Sequence, residues 1–234
     1  MLNSNFELRA TRPEDIDQII EVCHAVYPDS YSWGPGQISA HLEIFPEGQF
    51  VVVDKAHGRP IGMAASLIVN YADFTLESKW REITQWGYFE THDPIHGKTL
   101  YGAEIMVHPA YQGKGVGKLL YQAREKLARA HKLLNIRAGA RISGYHRHSR
   151  DMSARDYVIQ VIEGKLSDPT LTFQIKRGFR VIGITPRYFH DPDSLNFAAV
   201  IEWLNPDVSE AKDWSYGDSE FLAAASRVKS SAQN

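Results

Sequence analysis

Gln112-Gly113-Lys114-Gly115-Val116-Gly117-Lys118 is the stretch whose residue types most plainly suit chemistry. Three alternating glycines permit positive φ and let the backbone approach a ligand closely. The apolar residues Val116, Leu119, Leu120, Ala123 and Leu127 follow at helical spacing. The glycines therefore open a helix, where unpaired N–H groups and the helix dipole favour a phosphate. Lys114 and Lys118 add positive charge. The nucleoside-triphosphate loop needs Ser or Thr after its lysine, but Leu119 follows Lys118. The dinucleotide fingerprint needs a glycine where Lys118 stands. A tight connection with no ligand is the plainer alternative.

Other clusters carry weaker chemistry. His92-Asp93-Pro94-Ile95-His96 and His146-Arg147-His148 match no zinc spacing and have no thiol nearby, so no metal is expected. No Gly-x-Ser-x-Gly elbow occurs, which argues against a serine hydrolase. Arg137, Arg141, Arg147, Arg150 and Arg155 form a basic stretch. It reads either as a salt-bridged surface or as a contact for an anionic group. Trp80, Trp86, Tyr88 and Phe89 could wall a pocket or pack against a sheet.

The elements that must position these residues alternate in type. Thr11 and Glu14 form a Thr-x-x-Glu capping box, and Ile16, Ile19, Ile20 and Cys23 fall on one face of the helix that follows. Gln49–Val53 and Ile61–Val69 read as a hairpin around Gly58 and Pro60. Residues 71–98 show no period and read as a long excursion near a site. Leu100–Val107 is a strand, and the helix after the glycine turn runs from about Gly117 to His131. Leu134–Ala140 is a strand, Met152–Lys165 a helix capped by Ser153, and Asp168-Pro169 opens a short helix ending at Gly178. Phe179–Ile184 and Asn196–Trp203 close the set as strands, and 226–234 reads as a frayed tail. Mixed order of this kind predicts an α/β sheet centred on Leu100–Ala140.

The chain has 234 residues, a net charge of −2, 43% hydrophobic and 23% charged residues, and one cysteine. That suits one well-buried domain without a broad pull toward nucleic acid or anionic membrane. No run of about 18 apolar residues occurs, so neither a spanning helix nor a membrane partner is expected, and the default location is cytoplasmic. Cys23, on an apolar helix face, reads as a core residue rather than a reactive thiol.

Gln112, Gly115 and Gly117 in the pattern Gln-x-x-Gly-x-Gly resemble the coenzyme A signature of the GCN5-related N-acetyltransferase (GNAT) family. Ile105-Met106-Val107-His108-Pro109, Leu119-Leu120 and Phe173-x-x-x-x-Gly178-Phe179 look like that family too. Ile83-Thr84 to Asp93-Pro94, Leu100-Tyr101-Gly102, Gly139–His146 and Asp168–Gln174 resemble more narrowly the acetyltransferase-like domain fused to carbon–nitrogen hydrolases.

The resemblance implies a GNAT-like α/β fold, with a central mixed, mostly antiparallel sheet flanked by helices. It implies one domain over 1–205, with insertions at 71–98 and 145–167, followed by a partly flexible extension over 206–234. It also implies an N-acetyltransferase that moves an acetyl group from acetyl-CoA, or another acyl-CoA, to a small-molecule or peptide amine, with a homodimer possible. The alternative is a catalytically weak acyl-CoA sensor that partners a carbon–nitrogen hydrolase. Under the resemblance, Ile105, Met106 and Val107 hold the pantetheine arm, with an N–H near Met106 or Val107 on the thioester carbonyl. The backbone of Gln112, Gly113, Lys114, Gly115, Val116, Gly117 and Lys118 holds the pyrophosphate, and Thr170 and Phe173 flank the arm. Glu104 stands where the family carries a general base for the amine, the alternative being an ordinary ion pair. Gln174 stands at the place of the family's proton-donating tyrosine and cannot be an acid. Tyr145 is the first substitute and Tyr188 the second; otherwise the thiolate leaves unaided.

Overall fold

A computed structural model of the chain describes residues 5–28 and 33–231, the side chains of 229–231 excepted. Contacts group the chain into two units, one of residues 1–70 and 81–133, the other of 71–80 and 134–234.

The first unit runs β1 (Phe6–Ala10), α1 (Ile16–Val26), α2 (Pro35–Ile44), β2 (Gln49–Asp54), β3 (Arg59–Val69), the one-turn α3 (Trp80–Ile83), β4 (Thr99–Val107) and α4 (Val116–Ala130). β1, β2, β3 and β4 pair antiparallel in that order, so the predicted hairpin is present. β3 is buried along almost its whole length, as a strand with apolar residues on both faces must be. One irregularity matters later. The β3–β4 register slips between Ala65, opposite Glu104, and Ser66, opposite Gly102, leaving Ala103 as an extra residue. That is a β-bulge.

The cap of α1 differs from expectation by one position. Thr11 N–H is still committed to Gln49 O at 3.0 Å, extending the β1 ladder. The turn therefore starts at Arg12, whose N–H donates to the Asp15 carboxylate at 2.8 Å. Glu14, the expected partner, is exposed.

The excursion is held closely to its unit from residue 81 onward. Ile68 N–H donates to His92 Nδ1 at 3.1 Å, and Asp93 N–H to Ile68 O at 2.9 Å. Ile83 and Phe89 are buried, whereas Trp86 and Tyr88 are exposed. Of the four aromatics, Phe89 is thus the one that packs fully.

The second unit holds β5 (Asn135–Arg141), α5 (Ala154–Ile162), α6 (Leu171–Lys176), β6 (Arg180–Thr185), β7 (Ala198–Leu204) and α7 (Ser219–Ser231). β7 lies between β5 and β6, antiparallel to both. Ser153 caps α5 as expected, its hydroxyl accepting from Asp156 N–H. Where a frayed tail was expected, α7 runs on to Ser231. Phe221 and Ala224 are fully buried, and Arg155 bridges Asp218 and Glu220 at 2.8 and 2.7 Å. No described helix is long and apolar enough to cross a membrane.

Candidate acyl-carrier site

The glycine turn leaves β4 through a short 3-10 turn, Pro109–Tyr111. Gln112 then ties back, its side-chain amide donating to Val107 O at 3.3 Å. Gly113 and Gly115 take φ of 74° and 91°, conformations that favour glycine. A Cβ built at either position meets nothing within 4 Å, so the turn faces open space. The first bond of α4 runs from Leu119 N–H to Gly115 O, and among the described residues no acceptor takes the N–H groups of residues 113–118. A hollow of about 420 Å3 adjoins one edge of the turn, where Lys114 lines it with Phe6, Asp54, Ala56, Ala110 and Tyr111. Lys114 Nζ lies 4.8 Å from the Tyr111 ring centroid. Unspent amides, open space and a helix start fit a diphosphate.

The turn is held from beneath. Val116 and Leu120 join Val52, Ile61 and Ala64 in one buried cluster, with Ile105, Val107 and Leu119 packed against it. The helix start is therefore fastened to β2 and β3 by apolar packing while its amides stay exposed.

On β4, Glu104 is half-buried and its carboxylate is held by named donors. Oε1 accepts from Tyr27 OH at 3.1 Å and from Ile105 N–H at 2.9 Å, and Oε2 from Trp33 Nε1 at 3.3 Å. Cys23 is fully buried, and burial followed by the Glu104 charge pushes its thiol up to about 12. No thiolate forms there near neutral pH, as expected of a core cysteine.

The ladder decides which β4 amides are available. His108 N–H donates to Ile61 O at 2.9 Å. Antiparallel alternation then turns Met106 N–H toward β3 and Val107 N–H away from it. Ile105 N–H goes to the Glu104 carboxylate. Of the two expected carbonyl donors, Met106 N–H is spent on β3 and Val107 N–H is not.

The remaining sequence candidates belong to the second unit. Tyr145 is 6% exposed, its ring lies against Tyr157 and Phe197, and its hydroxyl donates to Met152 O at 3.3 Å. That geometry fits the packing role that is the alternative for Tyr145. Tyr188, also buried, leaves no room for a side chain at residue 139. Thr170 N–H donates to Asp168 Oδ1 at 2.9 Å, and Phe173 is 39% exposed. Gln174 is buried.

Asp168 organises this region. Its carboxylate also accepts from Leu171 N–H, Gly144 N–H and Tyr157 OH at 2.8–2.9 Å. Arg137, Arg141 and Arg155 of the basic stretch pair with Glu202, Asp191 and Asp218, which supports the salt-bridged reading. No group of three or more His, Cys, Asp or Glu residues suited to a metal occurs among the described residues.

A helix-opening turn with free amides, fed by a bulged strand that carries a held carboxylate, has the form of an acyl-carrier-dependent transferase. Comparison with known proteins agrees. The profile described as "Acetyltransferase (GNAT) family" matches residues 15–146. "Uncharacterized N-acetyltransferase YkwB" of Bacillus subtilis (strain 168) is 32% identical over 195 residues, 82% of this chain and 85% of that protein. "Probable hydrolase YhcX" of the same organism is 38% identical over 215 residues, 92% of this chain. The chain spans 41% of the length of that second relative. Among solved structures, the loading GNATL domain of CurA from Lyngbya majuscula superposes with a TM-score of 0.75 at 18% identity, over 86% of this chain and 98% of that one. The chain belongs to the GNAT family. It shares the α/β fold of that family.

Proposed function

We propose that the chain transfers an acetyl group from acetyl-CoA to the amine of a small molecule or peptide by direct attack. The observation that carries this reading is the turn at residues 113–118, whose amides take no acceptor and whose glycines face open space just beyond the strand bearing Glu104. When bound, acetyl-CoA supplies an activated acetyl thioester. The Gln112–Lys118 backbone holds its diphosphate, with Lys114 and Lys118 adding charge. Ile105, Met106 and Val107 line the arm, and Val107 N–H holds the thioester carbonyl, where it stabilises developing negative charge. Glu104 takes the proton that the amine must lose, directly or through a water. The reading assigns Tyr145 to packing and names no side chain as the general acid. Cytoplasmic location and a homodimer belong to this proposal as well.

The test is release of free thiol from acetyl-CoA across a mixed panel of amines. Turnover with at least one amine supports the enzyme. Tight CoA binding with no turnover across the panel supports a second reading, an acyl-CoA sensor that partners a carbon–nitrogen hydrolase. Gln174 favours that reading, because its amide cannot supply a proton. So does the similarity to a longer protein named as a hydrolase.

A further inference from the structure

Arg124 sits on the buried face of α4 with 1% of its surface exposed. Burying a guanidinium is costly unless every donor finds an acceptor. Here no carboxylate pairs with it among the described residues. Its Nε donates to Ser66 Oγ at 2.9 Å, and its Nη2 donates to Ala65 O at 3.0 Å and to Glu104 O. Those acceptors are the residues at which the β3–β4 register slips. The strand side is shaped to match, since a Cβ at Gly102 would lie 2.7 Å from Arg124 Nη1.

The slip has a consequence for the site. Side chains alternate along a strand, so one extra residue reverses the face of everything beyond it. Because Ala103 is extra, Glu104 points toward Tyr27 and Trp33. An apolar residue at 124 would fill space but remove the hydrogen bonds by which α4 holds Ser66, Ala65 and Glu104 at the bulge.

We propose that Arg124 is a positioning residue that pins the β4 bulge and thereby sets the face and depth of the Glu104 carboxylate. The same helix presents the glycine turn, so α4 spaces the carrier-binding amides from the base. This rests on the reading of Glu104 as base, and the test separates the two.

Arg124→Met and Arg124→Lys are compared with wild type for thermal melting, CoA affinity by calorimetry, and amide hydrogen exchange in the peptide 101–107. kcat and KM are measured with an amine that the wild type accepts. Both variants should keep CoA affinity within about threefold, because the turn is held by Val116 and Leu120. Exchange in 101–107 should rise about tenfold or more, while peptides of β1 stay unchanged. kcat should fall about 10- to 100-fold in the Met variant with little change in KM for acetyl-CoA, and the Lys variant should recover part of the loss. A cooperatively melting Met variant with wild-type exchange and kcat overturns the proposal. If the Met variant does not fold, Gly102→Ala applies the same strain from the strand side and should give the same pattern. Wild-type levels in that variant would also overturn it. Absence of thiol release by the wild type contradicts the Glu104 reading alone, and the exchange data then decide the role of Arg124.

Discussion

Glu104 can serve as a base only if its carboxylate is aimed, and the donors from Tyr27, Trp33 and its own strand fix its position. Glu104→Gln keeps the shape and removes the basicity. It should lower kcat about 100-fold or more while CoA affinity stays near wild type. An unchanged rate across pH would remove Glu104 as base. Trp33 Nε1 also couples the site to a buried aromatic group. The His41 ring stacks on Phe89 at 3.7 Å, with Trp33 edge-on to both, and His41 Nε2 lies 2.7 Å from Gly87 O. His41 thus fastens the excursion beside the residue that holds Glu104. The sequence marked this region as a functional excursion, but nothing in its pattern pointed to His41, because the partners lie 46 and 48 residues further along the chain.

At the scale of elements, strands and helices were readable wherever local pattern and packing agree. The hairpin, the β4–turn–α4 unit and the Ser153 cap all follow from short-range signals. Two failures have physical causes. Nothing in the local pattern marks Arg124 as buried, because its acceptors lie 58 and 59 residues back on β3 and 20 residues back at Glu104. α7 is small and polar in composition, so its helix depends on docking through Phe221 and Ala224 rather than on its own propensity. Phe221→Ala should therefore destabilise the protein by about 3–5 kcal/mol, read from the urea midpoint. A change within about 0.5 kcal/mol would show that α7 adds little to the fold.

For the whole molecule, the family was legible because Gln112, Gly115 and Gly117 combine a backbone requirement with a ligand requirement in one short stretch. The acceptor was not, because nothing local encodes a pocket assembled from distant segments. Stability against acid is a property of the same scale. Burial, opposed by the Gly87 hydrogen bond, lowers His41 from its ordinary value of 6.5 to about 4. The unfolded chain therefore binds the extra proton between those values, and stability falls as pH drops from about 6.5 toward 4, at about 1.4 kcal/mol per unit. Below that window the carboxylates add to the loss. The Arg155 hydrogen bond lowers Asp218; for Asp15, burial raises the carboxyl but is outweighed by the Arg9 and Arg12 hydrogen bonds and charges together. Denaturant midpoints against pH should slope in the upper window for wild type and become shallower there in His41→Phe, where His92, also lowered by burial, still contributes. Parallel slopes would contradict this account of His41.

The central claim is that the amides of residues 113–118 receive the diphosphate of a CoA carrier. Calorimetry of CoA binding to wild type and to Gly115→Asp tests it most directly, because the aspartate places charge and bulk at a left-handed position facing open space. The account predicts measurable binding by wild type and a loss of affinity of about tenfold or more in the variant, with cooperative melting retained. Equal affinity in the two proteins, or no binding by either, would contradict it.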